Sequence, residues 1–209
     1  MDNTVLLIAN IITFVGMTIA TVAALFNSKR RVLLFQSVNH VLEIVAQFMT
    51  KAYSGMVQEI ITLVYSVVIL FVKTTKKAPK IIVSAICLVA GLVLGVIINV
   101  KFSGNVWYGY LPIAAAAIYT LVVIIAFCAD KDALKGDLLL KIGLLINMSL
   151  WAVYGLFVKL YPVIVFNCVA CVFAAISLVR IILALKRRAA LPPPEEPAPT
   201  DDETDAKAE

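Results

Sequence analysis

Seven apolar stretches, each long enough to cross a lipid bilayer, follow one another almost without interruption from the N-terminus to about residue 185. A spanning helix needs about 20 mainly apolar residues. Breaks in hydropathy place the stretches near 4–26, 32–50, 53–73, 81–100, 107–128, 138–157 and 160–183. The runs exceed the about 9–11 residues of a barrel strand and show no period-two alternation, so helices are expected, each satisfying its own backbone hydrogen bonds. Composition agrees with this: 62% of residues are hydrophobic, 15% are charged and the mean hydropathy is +1.00. The expected fold class is an all-α integral membrane protein with seven transmembrane helices. The first stretch has only Asp2 ahead of it and is longer than the usual 7–15-residue signal core, so it is expected to be retained as a helix.

Lysine and arginine near helix ends set orientation, because they are held on the cytoplasmic side. The first, third and fifth connections carry Lys29-Arg30-Arg31, Lys73 with Lys76, Lys77 and Lys80, and Lys131 with Lys135 and Lys141. Lys186-Arg187-Arg188 follows the last stretch, whereas the alternate connections hold only Lys51, Lys101 and Lys159. With seven spans this predicts the N-terminus outside and the C-terminus in the cytoplasm. The net charge of +5 is therefore spread over topology determinants and lipid-headgroup contacts, and does not point to nucleic acid. Residues 189–209, with Pro192-Pro193-Pro194 and many Asp, Glu, Ala and Thr, cannot bury a core and are expected to be a disordered cytoplasmic tail.

A shift of 108 residues lays the second and third stretches over the sixth and seventh. Asn39 then falls on Asn147, Lys51 on Lys159 and Tyr53 on Tyr161, while Glu43 falls on Trp151 and Glu59 on Asn167. Two copies of a three-helix unit can share one orientation only if an extra helix returns the chain across the membrane. The near-featureless stretch 81–100 suits that role. The expected organisation is two parallel triple-helix bundles, 1–78 and 104–188, joined by a linker helix within 79–103, a 3+1+3 plan. Parallel repeats about an axis along the membrane normal are a known transporter architecture, with the substrate site near the midplane.

The chemistry concentrates in the second stretch, where Gln36, Asn39, His40, Glu43 and Gln47 recur every three or four residues. At about 100° per residue they share one face, and counting about 1.5 Å per residue from Arg31 puts Asn39, His40 and Glu43 some 12–18 Å deep. A charged group there costs at least about 2.5–3.5 kcal/mol, so the stripe faces the bundle interior or a water-filled cavity. Asparagine alone is readily explained by hydrogen bonding between helices. A carboxyl group is not required for that, and intramembrane ionisable residues are functional by default. Glu59 is a second deep acid, with Thr62 and Ser66 on its side. His40, the sole histidine, stands three residues before Glu43, close enough for an imidazole–carboxyl contact on one helix surface. His40, Glu43 and Glu59 are thus candidates for proton coupling. The second repeat offers Asn147, Trp151 and Tyr154 at matching depth, with Tyr154 also compatible with an interfacial aromatic belt. An indole with amides suits a small polar solute.

Pro112 and Pro162 fall in first helical turns, where proline is tolerated. Cys87, Cys128, Cys168 and Cys171 all lie in or at the ends of apolar stretches and imply neither a disulfide framework nor a metal site. The sequence carries no phosphate-cradling loop, no metal-spaced histidine cluster and no serine with a base, so an enzyme is not expected, nor a cofactor.

The basic first loop followed by Gln36, the turn Tyr53-Ser54-Gly55, the Leu111-Pro112 opening and the ending Ser177-Leu178-Val179-Arg180 resemble YgjV-like bacterial inner-membrane proteins. That family is similar to the SWEET and PQ-loop superfamily. The resemblance covers about residues 5–185 and implies a solute pathway between two triple-helix bundles, lined by asparagines on the third helix of each and aromatics on the second. Asn167 and Trp151 match that pattern. Glu59 stands where the first bundle would offer asparagine, and Glu43 where it would offer an aromatic; the PQ dipeptide is absent.

The substrate-binding set expected from these readings is Asn39, Glu43, Glu59, Asn147, Trp151 and Asn167. The expected function is alternating-access transport of a small polar metabolite, cationic or amine-bearing given the two acids, across a bacterial cytoplasmic membrane. Besides the lipid bilayer and that solute, a second copy of the chain is a compatible partner. The rival expectation is a non-transporting receptor or scaffold of the same architecture.

Overall fold

A computed structural model describes residues 2–23, 29–71, 77–128 and 133–190. Seven α-helices account for nearly all of them: α1 (Asn3–Ala23), α2 (Lys29–Met49), α3 (Tyr53–Phe71), α4 (Lys77–Phe102), α5 (Tyr110–Cys128), α6 (Ala133–Val158) and α7 (Tyr161–Ala190). A single 3-10 turn, Trp107–Gly109, leads into α5. All seven helices are long and apolar enough to cross a membrane. Large apolar side chains stand exposed along them, among them Phe48, Val64, Phe71, Ile86, Val165 and Phe173. Such a surface is a cost in water and the expected outside of a chain solvated by lipid, and the protein is a multi-pass membrane protein. Of the expected tail, residues 189 and 190 are helical and close α7, because alanine and the basic residues before them are good helix formers; 191–209 lie outside the described residues.

The helices overrun the apolar stretches chiefly at the basic ends. α2 begins at Lys29, α4 at Lys77 and α6 at Ala133, and α7 continues through Lys186-Arg187-Arg188 to Ala190. Hydropathy marks only what lies in the hydrocarbon. Lysine, arginine and alanine are good helix formers, so the helices continue into the interface.

Each helix packs on its chain neighbours, and two further contacts, α1 with α7 and α3 with α5, draw the bundle together. Laying α1–α3 over α5–α7 exchanges those two contacts for one another, and α4 packs on α3 and α5. The apolar α4 is keyed into place. Gly91 and Gly95 leave a shallow face on which the Gln58 side chain of α3 rests, its Nε2 donating to Gly91 O at 2.8 Å. A Cβ at Gly95 would lie 2.6 Å from Gln58 Nε2 and 2.8 Å from Ile113 Cγ1 of α5. This small-residue step is thus occupied within the chain.

The 108-residue shift reappears in backbone geometry. Lys51 and Lys159 both adopt left-handed φ, 57° and 60°. The residue after each donates five back along its helix, Ala52 N to Gln47 O at 2.8 Å and Leu160 N to Gly155 O at 3.1 Å. Both are Schellman-type ends in which an apolar residue, Ala52 or Leu160, is buried after the left-handed one.

Candidate functional site

The polar stripe of α2 points inward. Asn39, Glu43 and Gln47 are buried, and Glu43 is only 1% exposed. α1 makes room for Asn39: a Cβ at Gly16 would sit 2.8 Å from Asn39 Oδ1 and 3.2 Å from Leu42 Cβ, so a larger residue there would displace the Asn39 side chain. Thr13, one turn earlier, is fully buried beside the same interface, its hydroxyl without a partner among the described residues.

Glu43 is the unusual member. Neither carboxyl oxygen has a hydrogen-bond partner among the described residues; Gln47 comes to it from the next turn without closing a bond of good geometry. Glu59 on α3 is near enough for its charge to act on Glu43. Asn39 Oδ1 and Gln47 Oε1 are buried and unpartnered as well. Buried polar groups are nearly always satisfied, so four oxygens without partners on one helix face need an explanation.

His40 does not turn to Glu43. Its Nδ1 hydrogen-bonds Glu59 Oε2 at 2.6 Å, across the α2–α3 hairpin, with the two side chains 16% and 13% exposed. The reason is geometric: in antiparallel helices joined by a tight turn, Glu59 lies within a turn of the mirror position of His40 about Lys51.

The expected second repeat contributes less polarity. Asn167 is buried, but its Nδ2 donates to Val163 O at 2.7 Å, bonding back onto its own helix. Asn147 is buried at the equivalent of Asn39 and makes no hydrogen bond within the described residues. Trp151 is half-buried and stands edge-on to Tyr154 at 5.7 Å between ring centroids. Of the six expected site residues, the first-repeat acids are brought near each other, and none of the six is bonded to another.

Tyr154 does not belong to an aromatic belt. It is 1% exposed, and its hydroxyl donates to Ala52 O at 3.2 Å and accepts from Gly55 N at 3.3 Å, tying α6 to the start of α3. Its ring and the Gln47 side chain both press on Gly55, where no Cβ would fit. A belt assignment from depth alone fails because a hydroxyl at this level finds unpaired N–H groups at a helix N-terminus.

Above Tyr154 lies a cavity of about 240 Å³. It is bounded by the α2–α3 turn (Thr50, Lys51, Ala52, Ser54), the α4–α5 connection (Ser103, Val106, Tyr108) and the end of α6 (Tyr154, Phe157, Lys159). Asn39, Glu43, Glu59, Asn147, Trp151 and Asn167 do not line it. Tyr154 lines the cavity, and at Gly55 its ring and the Gln47 side chain, the end of the buried stripe, meet the same glycine.

Sequence reasoning passed over three of these groups. Asn10 and Thr13 of α1 are spaced for one helix face, which was a legible signal; Asn10 bonds Lys159 O at 3.1 Å and Tyr161 N at 2.8 Å, clasping α7. Gln58 had no counterpart to mark it. The protein was compared with family models, curated proteins and solved structures, and it matches none of them.

Proposed function

We propose that the protein is a carrier for a small polar solute, cationic or amine-bearing, that works by alternating access between two related triple-helix bundles. In this reading residues 1–78 and 104–188 are the bundles, 79–103 the linker, and the plan is that of the YgjV-like, SWEET and PQ-loop proteins. The N-terminus is outside, the C-terminus is cytoplasmic, and the membrane is a bacterial inner membrane. The exchange of the α1–α7 and α3–α5 contacts under the repeat, and the matched turns at Lys51 and Lys159, support the two-bundle half of the reading.

One observation carries the transport half: a carboxyl group at the heart of a membrane bundle with neither oxygen hydrogen-bonded among the described residues. A group kept only for structure would be paired. A group kept for a solute or a proton must be free to exchange partners. The His40–Glu59 pair beside it is the natural relay if protons are the coupling ion.

The test is a thermal-shift screen of the purified protein against amines, amino acids, nucleosides and sugars, followed by proteoliposome uptake of any stabilising compound. Stabilisation and uptake lost in Glu43→Gln support the proposal. Uptake that ignores a pH gradient and survives His40→Gln removes proton coupling but leaves transport. The rival reading, a receptor or scaffold, is favoured by the cavity standing apart from Asn39, Glu43, Glu59, Asn147 and Asn167. Binding without uptake would decide for it.

A further inference from the structure

We propose that the cavity above Tyr154 is a docking site for an anionic group of the solute, so that the transported molecule is a zwitterion, a small amine-bearing carboxylate. The amine half of this statement rests on the transport reading above; the anion half rests on the cavity.

Lys51 and Lys159, at positions related by the 108-residue shift, both line the cavity, and both are exposed. Thr50, Ser54 and Tyr154 also line it and no acid does; the hydroxyls of Thr50 and Tyr154 already donate to backbone carbonyls, which leaves the lysines as the groups that would meet an anion. Neither lysine has an ion-pair partner among the described residues. Ser103 also lines the cavity, and its hydroxyl is buried without a partner among the described residues. Tyr108 stacks on Phe157 with centroids 5.1 Å apart, giving one apolar wall. At about 240 Å³ it is smaller than the roughly 300–1,000 Å³ of drug-sized pockets, a size that suits a small metabolite.

The backbone makes the lysines informative. Both occupy left-handed positions, where glycine or asparagine is usual and any other side chain costs of order 1–2 kcal/mol. Cations are favoured near helix C-termini for electrostatic reasons. A lysine one residue earlier, at helical φ, would meet that need without strain. Strain retained twice, at matching places, points to the direction in which these side chains are delivered. The same end of the molecule is otherwise poor in basic residues, since Lys101 is the only other lysine in the connections on that side.

The arrangement is a filter in series. In this proposal a solute first meets the two lysines and, once the bundles open, the acids Glu43 and Glu59 further along α2 and α3. A carboxylate alone is drawn in but is opposed by the acids; an amine alone is repelled at the mouth. A molecule with both charges is accepted at each stage.

The experiment uses purified full-length protein in nanodiscs and matched sets of probes: amino acids of two to six carbons, their carboxamides, which lack the anion, and the corresponding deaminated acids. Binding is read by calorimetry at low and high salt. The variants are Lys51→Asn with Lys159→Asn, which removes both charges while suiting the left-handed backbone, and Lys51→Arg with Lys159→Arg, which keeps them. The expected result is that an amino acid binds best, that the asparagine pair weakens it by roughly fivefold to tenfold, and that the arginine pair restores it. High salt should mimic the asparagine pair. Carboxamides that bind as well as the amino acids, unaffected by the asparagine pair, overturn the anion site; the transport reading then stands or falls on whether Glu43→Gln abolishes their uptake. No binding by any probe to folded protein overturns the zwitterion outright.

Discussion

Replacing Glu43 with methionine should stabilise this protein while abolishing the proposed transport. The side chain is 1% exposed and neither carboxyl oxygen has a hydrogen-bond partner among the described residues. An unsatisfied buried polar group costs about 1–3 kcal/mol, more where it is charged. Methionine has nearly the same length and volume, so no cavity opens, and its flexibility lets it follow the existing contour. The net expectation is a gain of about 1–3 kcal/mol. For a chain of this size each kcal/mol corresponds to about 2–4 °C in Tm. Thermal unfolding in detergent, followed by loss of near-ultraviolet circular dichroism, reads the sign directly, and proteoliposome uptake reads the function. A stabilised, inactive variant is the signature of a group retained at the expense of stability. A fall in Tm for both Glu43→Met and Glu43→Gln would refute the reasoning, because it would mean that the carboxyl group holds the bundle together.

Tyr154→Phe should cost about 1–3 kcal/mol, since Gly55 N–H loses its acceptor while Ala52 O keeps Met56 N; chemical-denaturant unfolding checks it. His40→Gln and Glu59→Gln should each destabilise by more than half the cost of the double variant, with a coupling of about 1–3 kcal/mol in a double-mutant cycle, as befits a partly buried pair at 2.6 Å. Gly95→Ala should destabilise by about 1–3 kcal/mol and loosen α4, because its Cβ meets Gln58 and Ile113; faster hydrogen exchange across 85–100 is the readout. Lys51→Asn alone should raise stability by about 0.5–1 kcal/mol through relief of the left-handed backbone, measured by Tm.

Much of the architecture was legible before any coordinates. Twenty-residue apolar runs state where helices cross, because the hydrocarbon thickness and the rise per residue leave little freedom. The inward face of α2 was legible for the same kind of reason: Asn39, Glu43 and Gln47 recur at helical spacing, and lipid rejects them. The likeness of Lys51 to Lys159 was visible as a shared letter, and the left-handed turn gives that letter a shape.

Partner choice was decided elsewhere. His40 sits at i,i+3 to Glu43 in the sequence, yet its bond crosses to Glu59, because the rotation and crossing of α2 against α3 set which side chains meet. Tyr154, grouped in the sequence with Asn147 and Trp151 and also compatible with an aromatic belt, became a buried clasp between α6 and α3, since the N–H of Gly55 lies within its reach only after the helices pack. The glycines of α4 carried no sign of what would rest on them until Gln58 did. Hydropathy and periodicity are properties of one helix at a time and fix where it lies and which way it faces. Contacts between helices depend on their mutual azimuth and tilt, which the chain acquires only when all seven are packed.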